Sequence, residues 1–287
     1  MPIPAPYLPA IFSLTAVGVW GASDFLGGVG ARRANAFLFT SIVHASGMVL
    51  AGLLAFAIHS PFPDGNGLRW ALAAGAVGGI ALAVFYRALA GGQMGLIAPV
   101  AAVLGAAIPT IVTAFAEGLP GRRHIFGFLL AGIGVWLISR SEEGNTIGQT
   151  AGRPKGLGMA VLAGCGFAGF YLCVHQAGND SALWISVCSR FASLLVTLAF
   201  VILGRQFRTV PGPVLAIAVS AGVLDITGSV VFVRASQLGR LDAAVVLSSL
   251  YPAITVILAR IFLKEHFSRS RTVGMLAALV AVPMIAG

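Results

Sequence analysis

Ten apolar runs, each about long enough to cross a bilayer, follow one another along this chain with little between them. A helix needs about 20 apolar residues to traverse ~30 Å of hydrocarbon. The runs are approximately Tyr7–Val29, Phe37–Ile58, Leu68–Leu89, Leu96–Phe115, Ile125–Ser139, Gly156–Gln176, Leu183–Leu203, Val214–Ala235, Ala243–Phe262 and Thr272–Ala286. The chain is 58% hydrophobic and only 9% charged, against about 25% charge in an ordinary soluble domain. Too little charge is present to wet the surface of a large soluble core. Lipid as the solvent for most of the surface removes that difficulty. The 37 glycines fit the same setting, because a missing side chain lets membrane helices approach closely. The fold class expected is an all-α integral membrane protein of ten transmembrane helices.

The remaining composition excludes several classes. Net charge is +9, but the basic residues stand singly or in pairs between apolar runs. They read as loop anchors for lipid headgroups rather than a nucleic-acid surface. Cys165, Cys173 and Cys188 lie within apolar runs, with no CxxC, so neither a disulfide framework nor a zinc site is expected. Met1–Pro6 lacks a basic region, and the first run reads as a retained helix rather than a cleaved signal. Walker A, HExxH and GxSxG patterns are missing from the sequence, so it supplies no ATP site or hydrolase elbow. His266-Phe267-Ser268-Arg269 matches only a fragment of a membrane phosphatase signature. Asn179-Asp180-Ser181 is a formal glycosylation sequon, treated as chance. No enzyme activity, cofactor or metal is expected.

The two halves repeat. At an offset of 147, Gly75 matches Gly222, Phe85 matches Phe232, Arg87-Ala88 matches Arg234-Ala235, Gly92 matches Gly239 and Gly127 matches Gly274. Glu117 and Glu265 follow the fourth run of each half, one residue out of register, while Pro109 and Pro252 do not align. The longest link, Arg140 to Lys155, is polar and falls at the midpoint. The expected units are residues 1–145 and 146–287. Five is odd, so two such units enter the membrane in opposite senses. That is the inverted-repeat plan by which many carriers open a central site to each side in turn.

With this plan in view, the chain resembles the EamA-type carriers of the drug/metabolite transporter superfamily. The resemblance rests on Trp20-Gly21, Phe85-Tyr86-Arg87-Ala88-Leu89, Ser249-Leu250-Tyr251-Pro252 and Leu263-Lys264-Glu265, with Gly127 and Gly274 opening the last run of each half. It implies two inverted five-helix repeats around a central cavity. It also implies a secondary transporter, expected to act as a monomer, that moves small solutes across a bacterial-type inner membrane by alternating access. Bacterial amino-acid exporters, including the aromatic group, are the nearest functional analogy, and export is the favoured direction. Proton coupling, exchange and uniport are all compatible. The alternatives are a multidrug or nucleoside/sugar carrier of the same fold, and an integral membrane lipid-phosphate enzyme. A channel is a further alternative, though the sequence supplies no charged pore ring. The chain departs from the family in having Glu117-Gly118 in the first half, and in placing His44 where many members carry an arginine. Arg190 is the repeat-related partner of His44, give or take one position.

Ionisable side chains inside membrane helices cost about 2.5–3.5 kcal/mol on insertion scales, so they mark cavities or pairs. Asp225, mid-run in the eighth helix, reads either as a site for an ammonium group or proton, or as a partner of a basic residue. Asp24 lies one turn after Trp20, so the two could share a wall; otherwise Asp24 caps the helix or pairs with Arg32 or Arg33. His44 suits proton coupling or packs as a bonded imidazole. Arg190 could clamp a carboxylate or pair with Asp180 or Asp225. Tyr86, Tyr171 and Tyr251 could line a cavity or sit in interfacial belts, the default for Trp184. Ser248 and Ser249 precede Tyr251-Pro252 and suggest a hinge and solute-contact point, with Pro99 and Pro109 as the matching prolines. Arg87, Arg234 and His175 read as residues near the interface.

Orientation shows a conflict. The resemblance implies both termini in the cytoplasm. Arg32, Arg33, Arg140, Arg153, Lys155, Arg205, Arg208, Lys264, Arg269 and Arg271 would then lie mostly outside, with Arg69, Arg122, Arg123 and Arg240 inside. The positive-inside rule prefers the reverse. The family orientation is the expectation, on the ground that boundary shifts could move several of these residues.

Overall fold

The structure is a computed structural model that describes residues 7–91, 94–139, 156–264 and 269–286. Its helices are α1 (Leu8–Ala31), α2 (Ala36–Ala57), α3 (Gly65–Ala90), α4 (Met94–Glu117), α5 (Arg122–Ser139), α6 (Leu157–Gln176), α7 (Ala182–Leu203), α8 (Gly212–Leu238), α9 (Leu241–Ser248), α10 (Tyr251–Leu263) and α11 (Arg269–Ala286). No strand occurs among the described residues. Among the described residues seven stretches are long and apolar enough to cross a membrane: α1, α2, α3, α6, α7, α8 and the span Leu241–Leu263. The Arg140–Lys155 link, Gly92 and the Glu265–Ser268 segment with its signature fragment lie outside the described residues.

Helix starts are set by short polar side chains and prolines that satisfy or lack the orphan N–H groups. Asn35 accepts from the amides of Phe37 and Leu38 at 3.0 and 3.1 Å. Asp64 accepts from Asn66 and Gly67 at 2.9 and 2.7 Å. Prolines occupy the first turns of α1, α8 and α10.

The expected ninth helix, Ala243–Phe262, corrects into two. It breaks between Ser248 and Tyr251, one turn before the point where a continuous helix would need an N–H from Pro252. The Ser249 hydroxyl donates to the Val246 carbonyl at 2.7 Å in the gap. By contrast α4 runs unbroken despite Pro99 and Pro109.

Polarity is reversed relative to a soluble protein. Leu53, Phe115, Phe126, Trp136, Leu203 and Phe262 face outward, while Ser13, Thr40, His44, Ser193, Thr197 and Thr255 are buried. Lipid explains the first set, and within the second Ser193, Thr197 and Thr255 make hydrogen bonds between helices. Thr255 Oγ1 donates to the Gly21 carbonyl at 3.0 Å, and Ser193 Oγ to the Gly75 carbonyl at 2.7 Å.

Packing joins the front and rear of the chain. α1 runs antiparallel to α8: Trp20 Nε1 donates to the Asp225 carbonyl at 3.2 Å, and Ser23 Oγ to the Ala221 carbonyl at 2.9 Å. α3 runs antiparallel to α6, with Gly78 against Phe170 and Ala81 against Gly166. α2 runs antiparallel to α7: the rings of Phe37 and Phe200 stack 5.2 Å apart, and Ser41 Oγ donates to Thr197 Oγ1 at 3.0 Å. Ser270, early in α11, donates to the Leu137 carbonyl, late in α5, at 3.1 Å. α4 packs on α6, and α9 and α10 pack on α1.

Two crossings demand glycine. A Cβ at Gly75 would strike the Ser189 carbonyl where α3 crosses α7, and one at Gly222 would strike the Val43 carbonyl where α8 crosses α2.

The connections sort to two ends. At one end Asp64 N donates to Asp180 Oδ2 at 3.2 Å, Gln237 Nε2 to the Asp180 carbonyl at 2.7 Å, and Arg240 Nη2 to the Gly118 carbonyl at 3.2 Å. At the other end Asn35 Nδ2 donates to Gln206 Oε1 at 2.7 Å.

Candidate functional site

Between these helices lies a cavity of about 460 Å³ including its open mouth. Trp20, Asp24, Tyr171, Arg190, Asp225 and Tyr251 line it, together with Gly78, Leu82, Phe167, Phe170 and Ser229. Asp225 stands thirteen residues from either end of α8, about 20 Å along the axis. The cavity is therefore deep in the bundle.

Spacing on each helix delivers these groups. Trp20 and Asp24 are one turn apart on α1, as are Phe167 and Tyr171 on α6, Gly78 and Leu82 on α3, and Asp225 and Ser229 on α8. Tyr251 enters from the break between α9 and α10. Arg190 enters from α7, where small neighbours (Ser186, Ser189 and Ser193) share its buried face.

Charge is arranged unevenly. Arg190 Nη2 lies 2.8 Å from Asp225 Oδ2 and also donates to Ser229 Oγ. Ser229 Oγ in turn donates to the Asp225 carbonyl at 2.9 Å. The pairing of Arg190 with Asp225, one of the sequence alternatives, is the arrangement found. Asp180 instead serves the α2–α3 connection. Asp24 does not cap α1, which continues to Ala31. It is buried and takes part in no hydrogen bond or ion pair within the described structure. The Tyr251 hydroxyl is buried without a partner.

Aromatic rings form one wall. Tyr171 and Phe232 have centroids 4.8 Å apart, Trp20 and Phe232 5.4 Å, and Phe170 and Tyr171 5.6 Å. Edge-to-face and tilted contacts of this kind hold ring faces in fixed positions.

Four other sequence candidates are not brought to the cavity. Tyr86 packs on Gly27, and its hydroxyl lies 3.1 Å from Ser23 Oγ. His44 is buried on α2, and neither of its ring nitrogens has a partner. Ser248 is buried with its hydroxyl unpartnered, and Ser249 bonds the backbone of its own turn. Trp184 sits at a helix end, with Nε1 donating to the Ser60 carbonyl at 2.9 Å. Arg87 and Arg234 are exposed.

Sequence reasoning missed Gly78, Leu82, Phe167, Phe170 and Ser229 as lining residues. The repeat held the signal: the offset of 147 carries Trp20 to Phe167, Asp24 to Tyr171, Gly78 to Asp225 and Leu82 to Ser229. Applied to the suspected wall on α1, it would have pointed to its counterpart on α6.

Long apolar helices that turn ionisable and aromatic side chains into a shared cavity define a multi-pass membrane protein with a polar site inside its bundle. Residues 154–287, a little under half of the chain, match the model of the EamA-like transporter family. An uncharacterized protein of Methanocaldococcus jannaschii is 26% identical over 129 residues, covering 45% of this chain and 93% of that one. A protein known from a crystal structure shares the fold with a TM-score of 0.73 at 16% identity, over 96% of this chain and 95% of that one.

Proposed function

We propose that this protein is a secondary transporter that moves small solutes, amino acids or related metabolites, across a bacterial-type inner membrane by alternating access at this cavity. Export is the direction proposed, by analogy with the family. The observation that carries the reading is a charged and aromatic cavity held between helices from the front and rear of the chain. Such a site suits a carrier better than a catalyst, because its groups are placed to bind and enclose a solute.

The unit plan proposed is two five-helix repeats, residues 1–145 and 146–287, crossing ten times in opposite senses. Three features support it. Exchanging the halves turns the α1–α8 contact into α6–α3, α2–α8 into α7–α3, and α4–α6 into α9/α10–α1. The self-related pairs α2–α7 and α5–α11 run antiparallel, as a two-fold axis lying in the membrane plane requires. α5 and α11 have 18 residues each, about 27 Å of helix.

For orientation, the helix boundaries now weigh against the family expectation. Arg32 and Arg33 lie between α1 and α2, and Arg205 and Arg208 between α7 and α8, all at the end opposite the termini. We therefore propose that this basic end faces the cytoplasm.

The test is uptake of a radiolabelled amino-acid and amine panel by liposomes containing the purified chain, with and without a pH gradient. Saturable, competed uptake above empty liposomes is expected. Product formation in detergent without a sealed compartment would indicate an enzyme, and non-saturating voltage-driven current a channel.

A further inference from the structure

Three ionisable side chains line the cavity, and two of them engage each other. Arg190 and Asp225, at 2.8 Å, form a pair without net charge. Asp24 is the ionisable group left over, so the cavity with all three ionised carries one net negative charge. An uncompensated charge in a low-dielectric interior is costly, and either a proton taken up by Asp24 or a bound cation that displaces it relieves the cost.

Resting on the carrier reading above and narrowing its solute from amino acids to amines that lack the carboxylate, we propose that the cavity selects a solute carrying one protonated amine on an apolar, preferably aromatic, body. Asp24 is the counter-ion for the ammonium. Trp20, Phe167, Phe170, Tyr171 and Tyr251 line the same cavity, and aromatic rings attract an organic cation and stack on its apolar part. A bare metal cation fits poorly, since it needs six or so oxygen ligands and carbon makes up much of this wall. No cluster of three or more His, Cys, Asp or Glu side chains occurs among the described residues.

A carboxylate finds no equivalent partner. The Arg190 amino group that reaches Asp225 also donates to Ser229, and its Nε atom is buried from the cavity. Drawing Arg190 away to a ligand would strand Asp225, and the incoming carboxylate would meet the charge of Asp24 as well.

Tyramine and tyrosine test this, because they share a ring and an amine and differ by the carboxylate. Binding of radiolabelled tyramine to the full chain in detergent, by equilibrium dialysis, is expected to be at least about tenfold tighter than that of tyrosine. One charge-assisted contact is worth that much. Asp24→Asn should weaken tyramine binding by about tenfold or more, and Asp24→Glu should retain most of it. If Asp24→Asn does not elute as a folded species, the wild-type comparison decides alone. Equal or tighter binding of tyrosine, no binding of tyramine, or undiminished binding by folded Asp24→Asn overturns the proposal. The carrier reading fails separately. Tight tyramine binding without flux into liposomes supports the selectivity and sinks the carrier, while saturable tyrosine flux exceeding that of tyramine keeps the carrier and overturns the selectivity.

Discussion

Asp225 and Asp24 have the same side chain and opposite circumstances. Asp225 meets a guanidinium at 2.8 Å, and Asp24 meets none. Breaking a buried pair costs more than forming it gains, because the survivor keeps its charge without compensation. Arg190→Ala is therefore expected to destabilise the protein by about 3–5 kcal/mol. The double variant Arg190→Met/Asp225→Leu should recover much of that loss. Thermal unfolding in detergent, followed by fluorescence, checks both. A double variant no more stable than the single one would mean that the pair is not the chief partner of either side chain. Sequence alone could place both aspartates mid-helix and could not say which was paired. That distinction depends on Arg190, distant in sequence and adjacent in space.

Within elements, crossing points and breaks carry the argument. Gly75→Ala and Gly222→Ala each push a methyl group into a carbonyl of the crossing helix. A loss of about 1–3 kcal/mol in stability is expected for each, whereas Gly52→Ala, with open space around it, should be neutral or slightly stabilising. Equal melting temperatures for all three would remove the close approach from the account. Pro252→Ala restores the missing N–H between α9 and α10. If the break serves alternating access, this variant should bind solute with unchanged Kd and turn it over several-fold more slowly in liposomes. The proline pointed to a hinge in the sequence. It did not tell a broken helix from a continuous one, since α4 carries two prolines and runs unbroken. Neighbouring backbone and side-chain contacts, which no local pattern encodes, make that choice.

For the molecule as a whole, charge placement is the testable quantity. The described boundaries keep Arg32, Arg33, Arg205, Arg208, Lys264 and Arg269 at one end, and Arg69, Arg122, Arg123 and Arg240 at the other. Arg240 is held at its end by Asp242 at 3.0 Å and by the Gly118 carbonyl. Alkaline phosphatase fused after Gly287 is expected to be active, and a fluorescent protein there dark, because the basic end draws to the cytoplasm. The opposite result restores the family orientation. The Methanocaldococcus jannaschii relative, whose matched 129 residues make up 93% of its length, is about half as long as this chain. A free-standing unit of that size fits a duplication origin for the two halves.

The sequence by itself determined the helical class and pointed to lipid as the solvent and to an internal repeat. Apolar runs of bilayer length can satisfy their backbone only as helices, and an offset of 147 residues needs no coordinates to be seen. It also named Trp20, Asp24, Tyr171, Arg190, Asp225 and Tyr251, because polar or aromatic groups amid apolar runs are conspicuous. The apolar residues Phe167, Phe170 and Leu82 were hidden for the opposite reason: a lining ring and a lipid-facing ring read alike in a one-dimensional pattern. Tertiary structure decided which faces meet, that His44 and Tyr86 do not line the cavity, and that Arg190 closes on Asp225 and leaves Asp24 open. Those outcomes depend on distances between helices from the two ends of the chain, and such distances are properties of packing.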